Sequence, residues 1–413
     1  MDLRRGRRIR PRRRPQPAAG QVSGVKVGVD ATSWGNRRGF GRFARNAVRR
    51  LVELDSDRTY VLYVDAATAE QEDLPAGATM RPVALRTPPT EAASADSSRS
   101  VGDILRLTRA VSADRPAAFL FPSVYTYFPV FRVPTVVGLH DTTAYEYPEL
   151  TMSSLRDRLF WTAKHRLALS LAARLFTVSE AARTALAKQL KMAPERLPVV
   201  PEAPDPVFHP RSRQEWAPEL ERLGLAPGER PFVYAGGISP HKNIETLLTA
   251  HAELRKQEPD APRLVIVGDL DTEVYVSAAS SVGDAIARLG LEEAVLLPGF
   301  VSDEALACLY SASRALIIPS LGEGFGLPAV EAAACGAPTI LSDLPAHRET
   351  LGDAALYFQP TDVRALTGAL ARVAVDDALR DTMSEGGRQA ASRMSWDHAA
   401  GKLTELIGEA AGS

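Results

Sequence analysis

Apolar residues along this chain follow two alternating rhythms. Short apolar runs bounded by turn residues predict strands at 25–31, 60–65, 118–122, 135–140 and 175–178. Between them, apolar positions three and four apart predict helices over 41–54, 155–173 and 180–190. The second half repeats the scheme, with strands at 232–235, 263–268, 295–297, 316–319 and 339–342 and helices between them. Continuous apolar strands alternating with helices predict parallel sheets covered on both faces. A proline-rich stretch at 201–210, followed by polar sequence to Gly228, interrupts the pattern and reads as a linker.

Size agrees with that division. A chain of 413 residues with 45% apolar content exceeds one typical core, so two domains are expected. The expected partition is an Arg-rich tail at 1–21, a first domain at 22–205, a linker at 206–228 and a second domain at 229–394. A last helix at 395–413 is expected to cross back onto the first domain. Ligand sites of doubly wound sheets form at the carboxyl ends of strands. His140, Gly236 and Glu323 all follow predicted strands, so all three can face one cleft.

The stretch Glu323-Gly-Phe-Gly-Leu-Pro-Ala-Val-Glu331 carries the densest chemistry. Two carboxylates bracket a glycine-rich turn that opens onto a helix. Gly324 and Gly326 let backbone approach a ligand, and Pro328 suits a first helical turn. The helix start offers free N–H groups and positive dipole character to an anion. Upstream, a strand ends in Gly236-Gly237, and Lys242 and Asn243 precede an amphipathic run. That order makes a diphosphate cradle, although no G-x-x-x-x-G-K-[ST] P-loop is present. Bland readings stand beside these: glutamate suits a first helical turn without a ligand, a helix-start lysine can be merely solvated, and His140 can be a structural histidine beside a turn.

Together these segments resemble the retaining glycosyltransferases of family 4, the group 1 glycosyl transferases of GT-B fold, in which two Rossmann-like domains face each other across a cleft. The likeness runs from about Val25 and takes in Gly39-Phe-Gly-Arg-Phe43, Val136-Val-Gly-Leu-His140-Asp141 and Leu175-Phe-Thr-Val-Ser179-Glu180. It continues through Leu297-Pro-Gly-Phe-Val-Ser302, Ala334-Cys-Gly-Ala-Pro338 and Gly352-Asp-Ala-Ala-Leu356. Among subgroups it is most similar to the O-antigen mannosyltransferases.

The resemblance implies a role for each matching residue. Lys242, with Gly236 and Gly237, would hold the donor diphosphate, and Glu331 the ribose hydroxyls. Glu323 and the backbone of Gly324, Phe325, Gly326 and Leu327 would hold the transferred sugar and its phosphate. His140 would face the reacting centre from the other domain. Gly39 and Gly41 would bring the first turn to the phosphate, with Arg42 at the cleft, and the segment around Gly299 would border the nucleobase. The substrates implied are a GDP- or UDP-sugar donor and a glycan, lipid-linked or small-molecule acceptor, with no covalent cofactor and no metal. Asp269-Leu-Asp271 has D-x-D spacing but reads better as a strand end followed by a helix cap. The acceptor pocket is expected around 65–100.

Two departures stand out. Relatives carry an arginine beside the phosphate glycine where this chain reads Gly236-Gly237-Ile238, leaving Arg42, Arg38 or His241 as substitutes. Pro201-Glu-Ala-Pro-Asp205 replaces the usual Asn-Gly turn and reads as linker variation. The competing classes are a nucleotide-sugar epimerase of the same shape and a non-catalytic pseudo-glycosyltransferase.

Charge is uneven. Residues 1–14 hold eight arginines against one aspartate, a net of +7, which leaves −8 on the remainder of a chain whose total is −1. This segment reads as disordered, with contact to an anionic membrane as one reading and a natural start near Val22 as another. No motif for reading nucleic acid accompanies it. Cys308 and Cys335 show neither pairing nor metal spacing and read as buried thiols of a reducing compartment. No run of eighteen apolar residues and no secretory signal is visible, so the expected location is cytoplasmic, at most peripheral at the inner face of a membrane.

Overall fold

The structure is a computed structural model that describes residues 24–36, 39–71, 73–86, 100–152, 154–268 and 276–412. The Arg-rich tail, Arg38, Asp269 and Asp271 lie outside the described residues, as do 87–99 of the expected acceptor region.

Among the described residues, twelve strands form two six-stranded sheets. In chain order, β1 to β6 are Val25–Asp30, Arg58–Asp65, Thr79–Val83, Ala118–Phe121, Thr135–Gly138 and Ala172–Phe176. β7 to β12 are Phe232–Ala235, Leu264–Val267, Val295–Gly299, Ala315–Ile318, Thr339–Ser342 and Leu356–Phe358. The first sheet runs β3-β2-β1-β4-β5-β6 and the second β12-β11-β10-β7-β8-β9, with parallel pairing throughout. Counted from its own first strand, each sheet has the same order, 3-2-1-4-5-6. Each therefore reverses direction beside its first strand, and that switch point is where a crevice opens.

The central strands are the apolar runs seen in the sequence. β4, β7, β8, β10 and β11 are buried along their whole length. In β7, Phe232 and Tyr234 enter one core while Val233 and Ala235 enter the other, as a sheet covered on both faces requires. β3 and β12 are absent from the expected strands. Both are edges: β3 is exposed at four of its five positions and contains Pro82, and β12 spans three residues. An edge strand lacks the two-sided burial that writes a continuous apolar run, and it tolerates proline.

Residues 206–228 include the helix Arg213–Arg222, capped by Ser212 and Glu215 and packed on the helix Asp303–Ala312 of the second domain. The final helix, Trp396–Ala411, lies on the helix Gly39–Leu54 of the first domain. Phe43 meets Trp396 edge-on at 5.9 Å between ring centres, and Arg50 donates to Asp397 at 3.0 Å. Cys335 is buried, whereas Cys308 is only half-buried because its helix faces the Arg213–Arg222 helix at the surface. No described helix is long and apolar enough to cross a membrane.

Candidate functional site

The two sheets turn their carboxyl ends toward each other, and the chemistry collects there. β10 leads through Ser320 into the loop that carries Glu323, and the helix Leu327–Ala334 starts directly after Gly326. β7 ends at Gly236-Gly237, where the Tyr234 hydroxyl donates to the Gly237 carbonyl at 2.7 Å. A single 3-10 turn, Pro240–Lys242, then precedes the helix Ile244–Gln257. Asn243 staples this turn in place, its amide donating to Pro319 O at 3.0 Å and Pro360 O at 2.7 Å. The Leu321 N–H donates to His241 O at 2.9 Å and ties the two loops together.

The tied loops bring Lys242 and Glu323 into contact. The ammonium donates to Glu323 Oε1 at 2.6 Å, and the Ser320 hydroxyl donates to the same oxygen at 2.8 Å. Burial would raise the Glu323 pKa, but the charge of Lys242, the nearby His347 and these hydrogen bonds hold it below the ordinary value. Glu323 is thus an ionised carboxylate beside a cation, eighty-one residues away in sequence.

Glu331 has a different partner. Arg42, at the start of the helix Gly39–Leu54 in the facing domain, donates to Glu331 Oε1 at 2.9 Å and to Asp303 Oδ1 at 2.7 Å. Its guanidinium also lies 5.1 Å from the centre of the Phe208 ring. Arg42 is therefore committed to two carboxylates of the second domain rather than standing open as a phosphate cation. Glu331 is pushed up to about 8, because full burial and the neighbouring Asp303 and Asp205 outweigh the pull of Arg42. His241 is also a poor substitute cation, since burial and Lys242 drive its pKa down to about 3.

From the first domain, His140 follows β5 and is 7% exposed. Its Nε2 lies 2.8 Å from Pro122 O, its Nδ1 lies 3.5 Å from Glu202 Oε1, and Phe43 packs edge-on at 4.9 Å. The main chain of His140 touches the Glu323 loop. A methyl group on Gly324 would fall 1.9 Å from His140 O, so glycine there admits the facing domain. Gly41 likewise admits its own turn, since a methyl there would fall 2.1 Å from Asn36 O. Gly39 begins the helix with open space around it. Phe325 and Leu327 are buried, so this segment can offer a ligand its backbone only.

Further contacts hold the domains shut. The Ser179 hydroxyl donates to Gly324 O at 2.5 Å. Glu349 accepts the N–H groups of Glu180 and Ala181 at 2.8 and 2.7 Å, capping the helix Glu180–Leu190 from the opposite domain. Of these residues, Ser179 and Glu180 lie within a motif singled out in the sequence, and Glu202 within the Pro201–Asp205 departure. Glu202, Asp303 and Glu349 carried no signal of their own: Asp303 reads as an ordinary first-turn acid, and Glu202 sits between prolines in apparent linker.

The fold is of the GT-B type, two six-stranded parallel sheets with flanking helices. The family model described as Glycosyltransferase Family 4 matches residues 37–207, and that described as Glycosyl transferases group 1 matches residues 218–390. The chain belongs to this glycosyltransferase family. It is 30% identical over 265 residues to O-antigen chain mannosyltransferase B of Escherichia coli, an alignment covering 64% of this chain and 67% of that one. Other curated relatives, among them D-inositol 3-phosphate glycosyltransferases, are spanned over only about half their length. Among solved structures, sucrose-phosphate synthase of Thermosynechococcus elongatus superposes with a TM-score of 0.74 at 18% identity, covering 92% of this chain and 98% of that one. Anabaena HepE, solved with UDP and glucose, gives 0.72 at 18% identity, covering 93% and 99%.

Proposed function

We propose that this protein is a retaining hexosyltransferase that moves a sugar, mannose in the first instance, from a GDP- or UDP-sugar to a glycan or lipid-linked acceptor without a metal ion. The observation that carries this reading is the Lys242–Glu323 pair, fixed between two glycine-rich helix starts in the inter-domain cleft. Breaking a sugar–phosphate bond builds positive charge on the ring and negative charge on the departing diphosphate. Lys242 and the helix starts would take up the negative charge, and ionised Glu323 would face the sugar. The acceptor oxygen bonds to the anomeric carbon on the side from which the diphosphate leaves. The bonding pair departs with the diphosphate, and the acceptor proton passes to a departing phosphate oxygen. Glu331, held by Arg42, would meet the ribose hydroxyls, and the segment after β9 would border the base.

A transfer assay with GDP-mannose and UDP-sugars tests the reading. Lys242→Ala and Glu323→Gln are each expected to reduce transfer about 100-fold, the scale of one preorganised electrostatic contact. Near-wild-type turnover in both variants would overturn the assignment. Isomerised sugar nucleotide formed without acceptor would identify an epimerase, and absence of any nucleotide-sugar binding by calorimetry a pseudo-enzyme.

A further inference from the structure

Glu202 lies at the end of the first domain, in the proline-rich stretch that leads toward the second. The segment before it runs along the end of β6: Thr177 N–H donates to Pro198 O at 3.0 Å, and Val200 N–H to Thr177 O at 2.8 Å. This pairing delivers Glu202 to His140, and both are buried, at 4% and 7% exposure. The hydrogen-bond chemistry of the ring then leaves little freedom. Pro122 O is a carbonyl and only accepts, so His140 Nε2 at 2.8 Å must carry a proton. A neutral ring would then turn the bare lone pair of Nδ1 toward a carboxylate oxygen 3.5 Å away. Two acceptors do not face each other in a buried site without a proton between them.

We propose that Glu202 is a positioning residue of the transfer site, whose carboxylate pairs with His140 and so holds the ring as a doubly protonated imidazole at the mouth of the cleft. The proposal rests on the glycosyltransferase reading for its consequence, and on geometry for the ion pair. Pro122 O, Phe43 and Glu202 come from three separate elements and grip the ring from three sides. The titratable groups around the pair are Asp141 and Glu323, with Lys242 and His347 beyond Glu323. Burial opposes charge on His140, yet Glu202 raises its pKa above the ordinary value. Glu202 is itself raised by burial and by the facing carboxylates, with His140 pulling the other way. With both ring nitrogens engaged inside the protein, His140 acts on the reacting centre through its charge and through its main chain against Gly324. The segment read as linker variation thus supplies a further carboxylate at the cleft.

The test is Glu202→Gln in the full chain, read in two ways. Histidine NMR on unliganded protein, with His140 assigned by difference from His140→Gln, should show its titration fall by about one pH unit or more in Glu202→Gln. The transfer assay should show kcat down on the order of 10- to 100-fold, with KM for the donor nearly unchanged. Glu202→Asp, which keeps the charge, should recover part of both, and serves if the glutamine variant does not fold. An unmoved His140 titration, or a wild-type kcat, overturns the proposal. The NMR arm needs no activity, so a wild type that transfers no sugar would fail the functional reading without being mistaken for failure of the ion pair.

Discussion

Glu323 and Glu331 sit eight residues apart, the first partly and the second fully buried, and their surroundings push them in opposite directions. Glu323 gains a lysine, a serine hydroxyl and a nearby histidine and stays ionised. Glu331 shares its arginine with Asp303 and is pushed up to about 8. A carboxyl that titrates at about 8 in the fold and near 4.5 when unfolded binds more protons in the native state across that window. Its contribution to stability is full below pH 4.5 and is lost as pH rises through 8. The melting temperature of the wild type should therefore decline between those limits, and Glu331→Gln, which cannot ionise, should flatten that part of the decline. Identical profiles for the two proteins would contradict the shift. Arg42→Ala removes a donor from Glu331 that the retained proton partly replaces near pH 7. The expected loss is then about 1–3 kcal/mol, the cost of an unsatisfied buried group, rather than the larger cost of a stranded charge. Urea unfolding at pH 7 measures it.

At the scale of elements, the cleft depends on one loop lying flat against another. Gly324 meets the His140 carbonyl, and Ser179 donates to the Gly324 carbonyl from the same side. Alanine at 324 would set a methyl group against backbone that no rotamer change can move. Gly324→Ala is therefore expected to hold the domains apart, raising the radius of gyration in solution scattering and lowering transfer. Gly401→Ala, in open space on the last helix, is the control expected to change neither. An unaltered scattering profile in Gly324→Ala would show that the loop yields more easily than this packing implies. Legibility also differs by element. The buried strands were readable because burial on both faces writes an unbroken apolar run, whereas β3, an exposed edge strand, and β12, an edge strand of three residues, write none long enough to read. The glycines of the Glu323 loop were legible as close approaches, but not what approaches: at Gly324 it is the other domain.

For the whole molecule, the two sheets of identical order are joined by a crossover near Glu202 and by the return of the last helix onto the first domain. Arg42, Ser179 and Glu349 bridge the cleft from opposite sides. A donor that binds within this closed arrangement stabilises it by mass action, by about 2.7 kcal/mol at a hundredfold excess over Kd. A thermal-shift screen of nucleotide diphosphates and their sugars should single out one base and sugar. A flat response to all of them would count against the donor site.

The sequence by itself determined the two-sheet α/β architecture, the positions of the buried strands, the loops that hold Lys242 and Glu323 and the helix start that holds Glu331, because local apolar rhythm and turn chemistry act over a few residues. Only the tertiary structure decided the partners. Arg42 reaches Glu331 and Asp303 across more than 250 residues, and Glu202 meets His140 from a segment that reads as linker. Those pairings arise where two sheets turn their carboxyl ends together, and no pattern confined to one stretch of chain encodes how distant side chains meet across a cleft.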